Sequence, residues 1–136
     1  MEVRFEVHNL PPKKDGANSM WRKGVELPRL KALRVAALKA WGDAPILMHK
    51  AELEINVYAD PRAGDLDNFI AGICDGLMAA HPKTPIDDQA WIDIPSEAHP
   101  RKAIALSDDS IVERIVAERR RIAESGSWYE VLIRGN

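Results

Sequence analysis

Apolar and polar positions alternate at the start of the chain. Val3, Phe5 and Val7 interleave with Glu2, Arg4, Glu6 and His8, the period of a half-buried strand that Pro11-Pro12 ends. Residues 13–24 follow as a polar loop with four cations and one Trp. The spacing then changes to steps of three and four. Leu27, Leu30, Leu33, Ala37, Leu38 and Trp41 predict an amphipathic helix over 27–41, with Pro28 tolerated in its first turn and Gly42 closing it. Period two returns over 46–59, where Ala51, Leu53, Ile55 and Val57 share one face of a strand and Glu52, Glu54, Asn56 and Tyr58 the other. A second helix begins near Asp67, its stripe made by Phe69, Ile70, Ile73, Cys74, Leu77 and Met78.

Beyond it the periodicity stops. Residues 81–107 contain prolines at 82, 85, 95 and 100 and read as a long loop interrupting the domain; such loops are usually functional or mobile. Residues 110–122 fit two patterns. Ile111, Val112, Ile115, Val116 and Ile122 make a helical stripe capped by Ser110, and the same β-branched run suits a strand. Propensity leans towards helix, because AERRRIAE consists of good helix formers. Residues 127–134 read as a final strand. There is no internal repeat and no low-complexity tract.

Composition narrows the class. The chain has 136 residues, the length of one ordinary domain, with 46% hydrophobic and 29% charged residues, the balance of a soluble globular protein. The single cysteine, Cys74, excludes an internal disulfide framework and fits a reducing, cytoplasmic setting. No run approaches a membrane span, and the alternating, charged N-terminus does not read as a signal peptide. A net charge of -2 argues against coating nucleic acid by bulk positive charge. The charge is unevenly placed, however. Residues 1–58 hold ten Lys/Arg against seven Asp/Glu, residues 59–109 hold four against ten, and residues 110–136 hold five against four.

Within the acidic middle, Gly64-Asp65-Leu66-Asp67-Asn68 stands out. In extended chain ahead of a helix, residues two apart point to the same side, so Asp65 and Asp67 would aim two carboxylates at one spot. A divalent cation relieves that repulsion, and Mg²⁺ prefers oxygen ligands while keeping several waters. Helix capping accounts for one aspartate, not for two. Asp75 lies eight residues after Asp67, about 80° round the same helix, and could join the acidic face. Asp87-Asp88 and Asp108-Asp109 are two further sources of carboxylate, each also explained by a turn or cap. The four histidines have no metal-like spacing, and Cys74 falls on the apolar stripe as a core residue. No Gly-x-Ser-x-Gly, phosphate-binding loop or dinucleotide fingerprint is present. Lys13, Lys14, Trp21, Arg22 and Lys23 in one loop suit phosphate contacts and stacking, and Arg119-Arg120-Arg121 is a second cationic cluster.

Taken together these residues resemble the RusA family of Holliday-junction resolvases. The resemblance rests on Asp65-Leu66-Asp67-Asn68, on Asp75-Gly76-Leu77 two turns along the helix, and on an Asp-Asp pair entering a β-branched run. Pro11-Pro12 followed by a basic loop with Asn18 adds to it. It covers nearly the whole chain. It implies one α/β (α+β) domain over 1–136: a small mixed sheet of about four strands with two main helices and a Pro-rich loop or insertion at about 81–107. It makes 111–121 a strand, against propensity. It also implies a homodimer that uses Mg²⁺, with Mn²⁺ as a substitute, to cut phosphodiester bonds at four-way DNA junctions. Asp65 and Asp67 match the first two catalytic metal ligands. Asp109 matches the third, with Asp88 as the fallback and Asp75 and Asp108 as neighbouring candidates. Lys13, Lys14, Asn18, Trp21, Arg22 and Lys23 become the DNA-binding loop.

The chain departs from the family at one place. Members often carry a lysine one helical turn after the second aspartate; here Ala71 stands there. Such a lysine would stabilise developing phosphate charge, and Lys83, Lys102 or a loop lysine are the available substitutes. Ala71 also motivates a rival expectation, a non-catalytic module that binds DNA junctions without turnover.

Overall fold

The computed structural model describes residues 1–14, 19–122 and 126–136. Six elements carry the fold: β1 (Glu2–Val7), α1 (Glu26–Trp41), β2 (Ala51–Tyr58), α2 (Leu66–Leu77), β3 (Val112–Arg120) and β4 (Trp128–Gly135). They form an α+β domain with one four-stranded mixed sheet, ordered β1-β4-β2-β3. β4 runs antiparallel to both β1 and β2, while β2 and β3 are parallel, joined through α2. Strict alternation in β2 has the expected result. Ala51, Leu53, Ile55 and Val57 are buried and the residues between them half-exposed. Each large aliphatic side chain so buried contributes roughly 1.5–3 kcal/mol.

Both helices pack on that buried face. Leu33, Ala37 and Trp41 of α1 and Phe69, Ile73 and Leu77 of α2 share a core with β2 and β4. Gly42, at φ 60°, ends α1 and returns its N–H to the Leu38 carbonyl at 2.9 Å. Gly76 lets the helices close: a Cβ there would lie 2.5 Å from Leu33 Cδ2. On the opposite sheet face Arg134 donates to Glu2 and Glu54 at 2.9 and 3.0 Å, and Tyr58 stacks on Trp128 with ring centroids 4.0 Å apart.

The strand expected over 111–121 is present as β3. Propensity favours helix after Ser110, yet only a 3₁₀ turn, Asp109–Ile111, forms before β3 begins. The free edge of β2 needs a hydrogen-bonding partner, and eight residues of β3 supply it, which outweighs local helix preference. The 81–107 segment contains no α-helix or strand, but it is packed. Thr84, Trp91, Ala98, Ile104, Ala105 and Leu106 are buried, and Leu106 bridges to Leu47.

What holds that segment is Arg34. It lies on the apolar side of α1, is fully buried, and donates five hydrogen bonds, all to backbone carbonyls. Gly76 and Met78 at the C-terminal end of α2 accept two, at 2.8 Å each, and Ala98, His99 and Lys102 accept the rest. Burial brings its guanidinium down to about 10. The charge is tolerable there because the carbonyls at a helix C-terminus carry partial negative charge.

Candidate functional site

Asp65 is extended, at φ −82° and ψ 138°, and α2 begins at the next residue. Its carbonyl accepts the Phe69 N–H at 3.2 Å. Asp67 is already within the first helical turn, so the rule that residues two apart share a side no longer applies to the pair. The outcome is asymmetric. Asp67 lines a cleft of about 550 Å³ between α2 and the start of β3, and Asp65, exposed at the helix cap, does not.

The cleft brings together carboxylates from three stretches of chain, Glu113 of β3 among them. Asp67 and Asp75 come from α2, and Asp109 from the turn before β3, with Lys14 beside them. Ala71 lies on the same wall. A second, smaller cleft of about 280 Å³ adjoins the first and shares Lys14, Asp75 and Asp109 with it. His81 lines this second cleft; its Nδ1 accepts the Lys83 N–H at 3.0 Å, so in the neutral ring Nε2 carries the proton.

Lys14 reaches the acids because the Pro11-Pro12 segment lies directly on α2. A Cβ at Gly72 would sit 1.8 Å from the Pro12 carbonyl oxygen, so only glycine permits that approach. The Lys14 N–H reaches the Asn68 carbonyl at 3.5 Å, and its ammonium pairs with Asp75 at 3.3 Å. Lys13 runs across Gly64, where a Cβ would meet its Cδ at 2.9 Å, and its N–H is held by Glu26 at 2.9 Å. On the other side Arg119 of β3 donates to the carbonyls of Pro61, at 2.9 Å, and Gly64, fixing the turn that leads into α2.

The remaining candidates separate into caps, core and surface. Asp108 is a cap: its carboxylate accepts from the Asp109 N–H at 2.7 Å and the Ser110 hydroxyl at 2.9 Å. Asp87 does the same for Gln89 at 3.1 Å. Asp88 turns to His99 at 2.8 Å and lines neither cleft. Trp21 departs from the expected stacking role. It is 4% exposed, packs near Trp91 with its carbonyl accepting the Trp91 indole N–H, and lies under the Arg34 guanidinium. Arg22 and Lys23 are exposed. Asn18 lies outside the described residues. Cys74 is buried as expected, and burial pushes its thiol up to about 11, so it stays protonated beside the cleft.

The acids are crowded. Asp109 is raised above the usual carboxylate range, first by its hydrogen bond with Asp108, then by partial desolvation and by the charges of Asp108 and Asp75; Lys14 opposes the shift. Asp108 is lowered by the Ser110 and Asp109 hydrogen bonds it accepts. Crowding of this kind is what a hard divalent cation relieves, so the donor set suits Mg²⁺ in chemistry. The side chains are not drawn in to ligating distance: among the described residues no three His, Cys, Asp or Glu form a metal-holding group.

Comparison with protein-family models finds no match to this chain, and comparison with curated proteins finds none. Among the described residues no helix is long and apolar enough to cross a membrane.

Proposed function

We propose that this protein is a Mg²⁺-dependent, structure-selective endodeoxyribonuclease of the RusA kind, cutting phosphodiester bonds at four-way DNA junctions as a cytoplasmic homodimer. The observation that supports it most is the cleft in which Asp67, Asp75 and Asp109 meet Lys14. Asp67 and Asp109, from opposite walls, are the residues to hold the cation, with Asp75 behind them. Asp65 stays at the helix cap, outside the cleft. When bound, Mg²⁺ supplies an activated water and offsets charge on the scissile phosphate.

Lys14 stands in for the lysine missing at Ala71. Both residues line the same cleft, and an ammonium 3.3 Å from Asp75 is placed to donate to a phosphate oxygen brought against the acids. Lys13, Arg22 and Lys23 hold the flanking backbone, so binding weakens as salt rises. A synthetic four-way junction with Mg²⁺ tests this reading. Nicking by the wild type that is lost in Asp67→Asn is expected, and no nicking in Mg²⁺ or Mn²⁺ at any pH would sink it.

The absence of a closed three-ligand group among the described residues favours one rival, a junction-binding module without turnover. It predicts a gel shift selective for junction over linear duplex, unchanged by Asp67→Asn, with no cleavage.

A further inference from the structure

β3 is an edge strand. Its inner side pairs with β2, and among the described residues no strand pairs with its outer side. An exposed edge of nine residues is a template for another strand unless charge or irregularity blocks it. Here a bulge stands only at the beginning, where the register shifts between Ala51 and Glu52, leaving Arg114 to Arg120 in regular pairing. At its centre Ile115 and Val116 are each 39% exposed, two adjacent large apolar side chains on opposite faces of the strand.

The charges around them change sign about the centre, so the strand complements its own reverse. In Arg114-Ile115-Val116-Ala117-Glu118 a two-fold axis at Val116 sets Arg114 of one copy opposite Glu118 of the other, twice. It also sets Ile115 opposite Ala117 and Val116 opposite itself. Directly opposed residues of antiparallel strands lie on one face, so each Arg–Glu pair meets side chain to side chain. Neither charge is committed elsewhere in a way that resists this. Among the described residues Glu118 reaches only Arg120, two residues along, in a pair more than half exposed. The pattern continues outwards as Glu113 and Arg119, although Glu113 adjoins the bulge and Arg119 is held by Pro61 and Gly64.

We propose that β3 pairs antiparallel with β3 of a second copy of this chain about an axis at Val116, joining two four-stranded sheets into one. The occupant is a second copy because the strand's charges complement themselves. The inference gives a homodimer its surface and rests on the strand alone, not on the nuclease reading. Val112, Arg114 and Ile115 also line the acidic cleft, so this pairing brings the partner's strand to the cleft wall.

Sedimentation without DNA or metal tests it, whatever the protein's activity proves to be. Wild type is expected to dimerise at micromolar concentration. Arg114→Glu and Glu118→Arg each set like charges opposite one another at two places and raise the dissociation constant about tenfold or more. The double variant Arg114→Glu/Glu118→Arg restores both pairs and the dimer. Circular dichroism confirms that each variant folds, as expected for exposed positions. A monomeric wild type overturns the proposal, as do single variants that still dimerise or a double variant that stays monomeric.

Discussion

The helix α2 carries a buried polar cluster at one end and an acidic cleft along its side, and the two are opposites. At the C-terminal end Arg34 is enclosed, and each of its five hydrogen bonds has an acceptor within the chain. In the cleft Asp67, Asp75 and Asp109 lie with Lys14 and Arg114, and Asp109 is raised, first by its hydrogen bond with Asp108 and to a lesser degree by the charge of Asp75. A satisfied polar group in the interior stabilises a particular packing. An unsatisfied one at the surface costs stability and persists where something outside the chain completes it. Substitutions at the two places should therefore have contrary effects.

The largest effect belongs to Arg34. Replacing it with Met leaves the carbonyls of Gly76, Met78, Ala98, His99 and Lys102 without their donor, and unpaired buried acceptors cost about 1–3 kcal/mol each before relaxation and water entry. Urea unfolding of Arg34→Met should lose on the order of 4 kcal/mol, or the variant should fail to fold. Arg34→Lys keeps the charge with three donors instead of five and should fall between. A loss below about 1 kcal/mol would remove Arg34 from its place as the organiser of this region.

Lys14 is the converse case. Its ion pair with Asp75 is half-exposed, and such pairs contribute at most about 1 kcal/mol, so Lys14→Ala should fold with little loss. Its effect on junction cleavage should be large, roughly a hundredfold in single-turnover rate, as for loss of one donor to developing charge. Lys14→Arg should recover part of the rate. Cleavage by Lys14→Ala at the wild-type rate would show that some other cation does the work.

The contrast also separates what the sequence carries from what it conceals. β2 is legible because its alternation and its burial are the same fact. β3 is only half legible because an edge strand buries little: its β-branched run suits a strand, AERRR favours helix, and the need of β2 for a partner decides. Arg34 is concealed because its acceptors lie 42 to 68 residues away; its one signal is a charge inside an apolar stripe, between Leu33 and Ala37. The acids of the cleft are legible as residues but not as a set. The relation between Asp65 and Asp67 depends on the helix starting at Leu66, and Asp75 and Asp109 meet only after α2 and β3 are packed. Lys14 is one of four cations in its loop until Gly72 admits Pro12 against the helix.

The smallest effect is the most diagnostic, because its sign differs from the usual cost of mutation. Asp109 has its folded-state affinity for a proton raised, chiefly by Asp108 and by partial burial. A carboxyl with that shift binds its proton more tightly folded than unfolded, so its contribution to stability is present at low pH and is lost as pH rises through the carboxylate range. Asp109→Asn removes the charge while keeping a donor towards Asp108. Relative to wild type, its Tm should therefore gain as pH is raised from acid to neutral, and at neutral pH it should equal or exceed wild type. The gain is small because the carboxyl is exposed and solvent screens its neighbours. The same variant should lose Mg²⁺-dependent cleavage. A Tm clearly below wild type at neutral pH would mean that Asp109 is a structural acid like Asp108, and the contrast between the two sides of α2 would fail.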